Sequence, residues 1–132
     1  MIYIGKFLHA TNQQQDKESK RRHGEFNLIV EAGSQDAAVD KFKERIVGFR
    51  GTSDLFEGDC SIYMVHFLEL NEFPKDRAKM LYYKSTAGDP YMPYISCSTP
   101  SSETEGCKIL NWMERKPELD GQDANLFIQF KA

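Results

Sequence analysis

The cysteines of this chain, Cys60, Cys97 and Cys107, are odd in number and widely spaced. That argues against a disulfide framework and for reduced thiols. The histidines, His9, His23 and His66, are scattered as well. No C-x-x-C, H-x-x-x-H or H-E-x-x-H spacing is present to hold a metal with local geometry. Gly48, Gly51 and Gly58 fit neither G-x-G-x-x-G nor G-x-x-x-x-G-K-[ST], so no phosphate loop is signalled. The chain also lacks an apolar run long enough to span a bilayer. Residues 1–6 show no basic region leading into an apolar segment and a cleavage site, so no secretion signal is expected there. These absences set the expectations of no metal, no cofactor, no membrane partner and, by default, a cytoplasmic address.

What is present is ordinary globular material. The 132 residues are 40% hydrophobic and 28% charged, enough to build a core without covalent staples. The net charge of -3 is unevenly spread. Residues 1–50 hold nine Lys/Arg against seven Asp/Glu, and residues 51–132 hold eight against thirteen. Overall acidity disfavours general binding to nucleic acid, because affinity for a polyanion comes mainly from neutralising phosphates.

The plainest structural signal lies in residues 25–51, which read as a strand followed by a helix. Phe26, Leu28, Val30 and Ala32 alternate with Asn27, Ile29 and Glu31, the period of a strand with one face buried. Gly33 lets the chain turn. Ser34 is placed to cap the helix, and Asp36 puts negative charge at the positive end of its dipole. Val39, Phe42, Ile46 and Phe49 then fall on one face at spacings of three and four. Arg45 and Arg50 lie near the C-terminal end, where Gly51 is expected to stop the helix in the left-handed conformation.

Residues 2–9 read as a first strand, with Ile2, Ile4 and Leu8 opposed to Tyr3, Phe7 and His9. Residues 10–24 are polar and predict a long, mobile hairpin connection. In the loop 52–59, Leu55 and Phe56 are the residues available to tuck under the sheet. Residues 61–70 are apolar on both faces and predict a central strand. If one helix covers one face, either the set Tyr63, Val65 and Phe67 or the set Ile62, Met64 and Leu68 needs a second cover, from later chain or from another subunit. Further strands are expected from about Lys79, over 91–98, over 107–115 and over 125–131, with turns at Gly88-Asp89-Pro90 and Asp120-Gly121. The expected fold is therefore α+β: a mainly antiparallel sheet of about six strands with one principal helix packed across it, in the order β-β-α-β-β-β-β. No linker splits the chain, so a single globular domain over 1–132 is expected.

Two clusters stand out as candidate binding surfaces. The basic tract Lys17, Lys20, Arg21, Arg22 and His23 would suit phosphates or an acidic partner on an exposed hairpin. It contains no aromatic residue to stack on bases, and a solvated loop explains it as well. Tyr82, Tyr83, Tyr91 and Tyr94 crowd a turn, and tyrosine clusters occur at partner and ligand surfaces as well as in half-buried strands. For chemistry, Cys97 with His66 or His9 is the thiol and base pair to test, but no local glycine-rich elbow supports it. Acidic pairs such as Glu103/Glu105 and Asp120/Asp123 fall in loop-like composition. The reading is thus a small interaction module without enzymatic activity, with an unknown protein partner or a homodimer through strand 61–70. The alternatives are a small-ligand binder or enzyme with a pocket between helix and sheet, and nucleic-acid binding through the basic hairpin.

Overall fold

The computed structural model describes residues 1–89, 99–100, 105–108, 110, 118–119, 122–123 and 127–132. They fall into two compact units, Met1–Tyr83 and Lys84–Ala132. The first carries a three-stranded sheet and one helix. Strand β1 (Ile2–Thr11) pairs antiparallel with β2 (Arg22–Glu31) on one side and β3 (Cys60–Leu70) on the other, giving the spatial order β2-β1-β3.

Between β2 and β3 the chain forms helix α1 (Gln35–Thr52). Ser34 starts it as the sequence predicts, its Oγ accepting from the Ala37 N–H at 3.1 Å. The end differs from expectation. Gly51 lies inside the helix, and Ser53, with an extended φ of -145°, caps it. Here the Thr52 hydroxyl donates to the Gly48 carbonyl at 2.8 Å, and the Ser53 backbone N–H donates to that of Phe49 at 2.9 Å. Orphan carbonyls are satisfied without a left-handed residue.

The core lies between α1 and the sheet. Tyr3, Phe7, Ala32, Ala38 and Phe42 are buried together, with Phe26, Leu28, Val30, Ile46, Ile62 and Phe67 packed around them. Phe7 stacks on its cross-strand partner Phe26 at 5.0 Å and receives the edge of Phe42 at 5.6 Å. Gly5 is required by this packing. A Cβ there would fall 2.6 Å from the Phe7 ring and 3.0 Å from that of Phe42. Phe56 closes the end of the core, 4.9 Å from Phe26 and 5.7 Å from His9 between ring centroids. Its backbone is left-handed at φ 64°, and Arg50 holds the loop by donating to the carbonyls of Phe56 and Gly58, both at 2.8 Å. Leu55, its neighbour, stays exposed.

Among the described residues the expected six-stranded sheet is not formed. The α+β class holds, but the main sheet has three strands among those residues. Residues 75–84 have no regular structure, so the strand expected from Lys79 is absent. In Met80-Leu81-Tyr82-Tyr83 an apolar and aromatic composition is not enough, because strand preference is realised only against a partner edge. Residues 127–132 likewise form no strand, and Phe127 and Phe130 are 81% and 85% exposed. In the second unit, β4 (Glu118–Leu119) and β5 (Gln122–Asp123) pair antiparallel as a separate two-stranded piece. The strand expected over 91–98, most of that over 107–115 and the turn at Asp120-Gly121 lie outside the described residues.

The connection between the first two strands is shorter than expected, because β1 runs to Thr11 and β2 begins at Arg22. Its residues bond to one another. Gln13 Nε2 donates to the carbonyls of Thr11 and Arg22 at 3.1 and 3.0 Å, and a single 3-10 turn forms at Glu18–Lys20. The base of this hairpin is tied to the loop before β3. The Asn12 N–H donates to the Asp59 carbonyl at 2.7 Å, and the Asp59 N–H donates to Asn12 Oδ1 at 3.2 Å.

Candidate functional site

One helix is too narrow for three strands. An α-helix with its side chains is about 10–12 Å across, and strands are about 4.8 Å apart, so a helix seated over two strands leaves the third outside its footprint. In this protein α1 packs on β2 and β1. Strand β3 is covered in part: Ile62 and Phe67 reach the core, Phe67 with the Phe42 ring at 6.2 Å, while Met64 stays open.

A bulge decides which β3 side chains face this open space. The register runs Lys6↔His66 and then Phe7↔Met64, so Val65 has no partner on β1. Residues directly opposite in a ladder share a face. Gly5↔Phe67, Phe7↔Met64 and His9↔Ile62 therefore place Ile62, Met64 and Phe67 on the helix side. Tyr63, His66 and Leu68, opposite Leu8, Lys6 and Ile4, lie on the far side. Neither set expected from strict alternation survives, because the extra residue reverses the phase halfway along the strand.

The result is an apolar groove between α1 and β3. It has a volume of about 380 Å³ and is lined by Phe7, Val39, Phe42, Ile46, Val47, Ile62 and Met64, with Lys43 as the charged member. Phe42 and Phe7 form its buried wall, while Met64 is 44% and Val47 70% exposed. The groove is thus open along the β3 side. The sequence pointed to Ile62 and Met64 as residues wanting a cover. Lys43 and Val47 were missed, and the available signal was Val47, an apolar residue one position off the stripe of Phe42, Ile46 and Phe49.

The far face of β3 is met by the chain that follows it. The ring of Tyr82 lies 4.1 Å from that of His66, edge to face, and Lys6 stands 5.1 Å from the Tyr82 centroid. Tyr82 therefore acts as a side-chain cover in place of a further strand. Tyr83 is exposed, and Tyr91 and Tyr94 lie outside the described residues. Cys97 lies outside them too, so its pairing with His66 or His9 is not described.

All five residues of the basic tract are exposed. Lys17 precedes the 3-10 turn, Lys20 ends it, and Arg22 and His23 open β2. Arg21 is tied to its own loop, donating to the carbonyls of Gln15 and Asp16 at 3.1 and 3.3 Å.

Two further polar contacts sit on the helix side of the sheet. The Thr11 hydroxyl is buried, donates to Cys60 Sγ at 3.3 Å, and lies 2.9 Å from His9 Nδ1. The Thr11 hydroxyl thus stands between the His9 ring and the Cys60 thiol. The His9 imidazole is held below its ordinary value, first by burial and then by the positive charges of His23 and Arg22. At the other end of the sheet the Tyr3 hydroxyl is held above its ordinary value, first by its hydrogen bond to Glu69 and then by burial and the charge of that carboxylate. Among the described residues no group of three or more His, Cys, Asp or Glu is arranged to hold a metal ion. No helix among them is long and apolar enough to cross a membrane.

Comparison of the chain with protein-family models, curated proteins and solved structures gives no match.

Proposed function

We propose that this chain is a non-enzymatic interaction module whose docking surface is the groove between α1 and β3, and that its partner is a protein. The observation that carries this reading is the lining: seven apolar side chains and one lysine around about 380 Å³. Its volume lies in the range of small-ligand pockets, but such pockets bury most of the ligand's surface. A groove whose rim includes Val47 at 70% and Met64 at 44% exposure leaves one side of any small molecule in water. That geometry favours a protein surface, which can cover the rim as well as fill the floor. The alternative with less support is nucleic-acid binding through the basic hairpin. There Arg21 is bonded to its own loop, and the tract offers no aromatic side chain for stacking.

The test uses an apolar fluorescent dye such as anilinonaphthalene sulfonate, which brightens on exposed hydrophobic surface. Wild-type protein should enhance its emission, and Val47→Glu should remove most of that enhancement with the melting temperature unchanged. Equal enhancement by wild type and Val47→Glu would sink the reading.

A further inference from the structure

We infer that the partner docks with an amphipathic helix, and that a carboxylate set among the apolar residues of that helix pairs with Lys43. The inference rests on the reading above that the groove between α1 and β3 binds protein.

The residues four before and four after Lys43 on α1 are Val39 and Val47, and all three line the groove. Residues four apart on a helix lie one above the other on the same face. Lys43 is thus the middle of a row whose ends are valines. Asp40, three residues before it, does not come within ion-pair distance, and among the described residues the Lys43 ammonium has no ion pair.

A protein that covers Val39 and Val47 also closes over the Lys43 stem between them. An ammonium taken out of water without an opposite charge is strongly penalised, so the partner needs an acid where it crosses this row. The other lining residues are apolar, so that acid stands among apolar neighbours.

The form of the partner follows from the layer it enters. The groove lies on the face of the sheet that carries α1, where Met64 stays open. A segment lying there rests on side chains and meets no ladder edge, so its backbone N–H and C=O groups on the buried side need partners within the segment itself. A helix supplies them. Packed helices lie about 8–10 Å apart, roughly two strand spacings, so a helix beside α1 sits over β3. Its contact face repeats at three and four residues, with apolar side chains toward Ile62, Met64 and Val47 and the carboxylate toward Lys43.

The test is selection of peptides from a random display library on the immobilised protein, repeated on Lys43→Glu and Val47→Glu. Both variants change exposed side chains and should melt with wild type. Wild type should enrich peptides with apolar residues at three- and four-residue spacing and Asp or Glu between them. Lys43→Glu should bind those peptides about tenfold more weakly or worse, and should enrich Lys or Arg at the same place. Val47→Glu should retain neither set. Acidic peptides that bind Lys43→Glu as well as wild type overturn the inference, because the acid is then read elsewhere. Enriched peptides with apolar residues at alternate positions, the period of a strand, overturn it too, and so does an absence of enrichment on wild type. A mass that doubles with concentration for wild type and not for Val47→Glu would seat a second copy in the groove and also overturn it. In each case, dye enhancement that still depends on Val47 leaves the docking surface standing, whereas loss of that dependence removes the reading beneath it.

Discussion

The helix side of the sheet has two regions of similar chemistry and different fate. Over β1 and β2, the rings of Tyr3, Phe7 and Phe42 are nearly inaccessible, while over β3 Met64 faces the same side and remains 44% exposed. Both regions are apolar. What separates them is the ratio of helix width to strand spacing, which lets one helix close over two strands. Hydrophobic composition therefore does not mark the core of this protein; position relative to the helix footprint does.

The sharpest way to probe that difference is to remove comparable side chains from each region. Phe42→Ala, in the closed half, is expected to cost about 3–5 kcal/mol by chemical denaturation. Met64→Ala, in the open half, should stay below about 1 kcal/mol, since much of its side chain is already in water. Equal losses would mean that the groove is filled in solution. Gly5→Ala tests the tightness of the closed half from the other direction. Its new methyl would meet the Phe7 and Phe42 rings, for a loss of about 1–3 kcal/mol. Ser34→Ala removes the cap that helps keep α1 in place and should lower stability by about 1 kcal/mol, with no change in dye enhancement per folded molecule.

The smallest effect concerns His9, which lies on the helix side of the sheet beneath Phe56. Its folded-state pKa is depressed relative to 6.5, so the folded protein favours the neutral ring. The associated stability is complete above pH 6.5 and is lost as pH falls through the lower folded value. A denaturation midpoint measured across mildly acidic pH should decline for wild type more than for His9→Gln.

Much of the closed half was legible in the sequence. The Ser34 cap, the stripe through Phe42 and Ile46, and the alternation of β2 all depend on local spacing, and the structure follows them. The helix end was not, because glycine is tolerated inside a helix and the hydroxyl of Thr52 and the backbone N–H of Ser53 satisfied the carbonyls instead. The phase of β3 was hidden for a different reason. A run apolar on both faces carries no alternation from which a bulge could be read. The candidate site combined both problems: Ile62 and Met64 were visible as surplus apolar surface, but their meeting with Lys43 and Val47 depends on where the helix sits. The extra strands were overread because Met80-Leu81-Tyr82-Tyr83 has strand composition but enters no ladder, and Tyr82 packs on His66 as a ring.

The unpaired Val65 gives β3 one residue more than its ladder uses. A substitution at this exposed position changes one side chain on a rim. Deleting it would bring Met64 and His66 together opposite the consecutive Phe7 and Lys6, leaving Ile62, Met64, Phe67 and Glu69 on the face they already share. Deleting the paired residue Tyr63 would instead make Ile62 and Met64 neighbours and send them to opposite faces. Loss of Val65 should therefore lower the denaturation midpoint far less than loss of Tyr63.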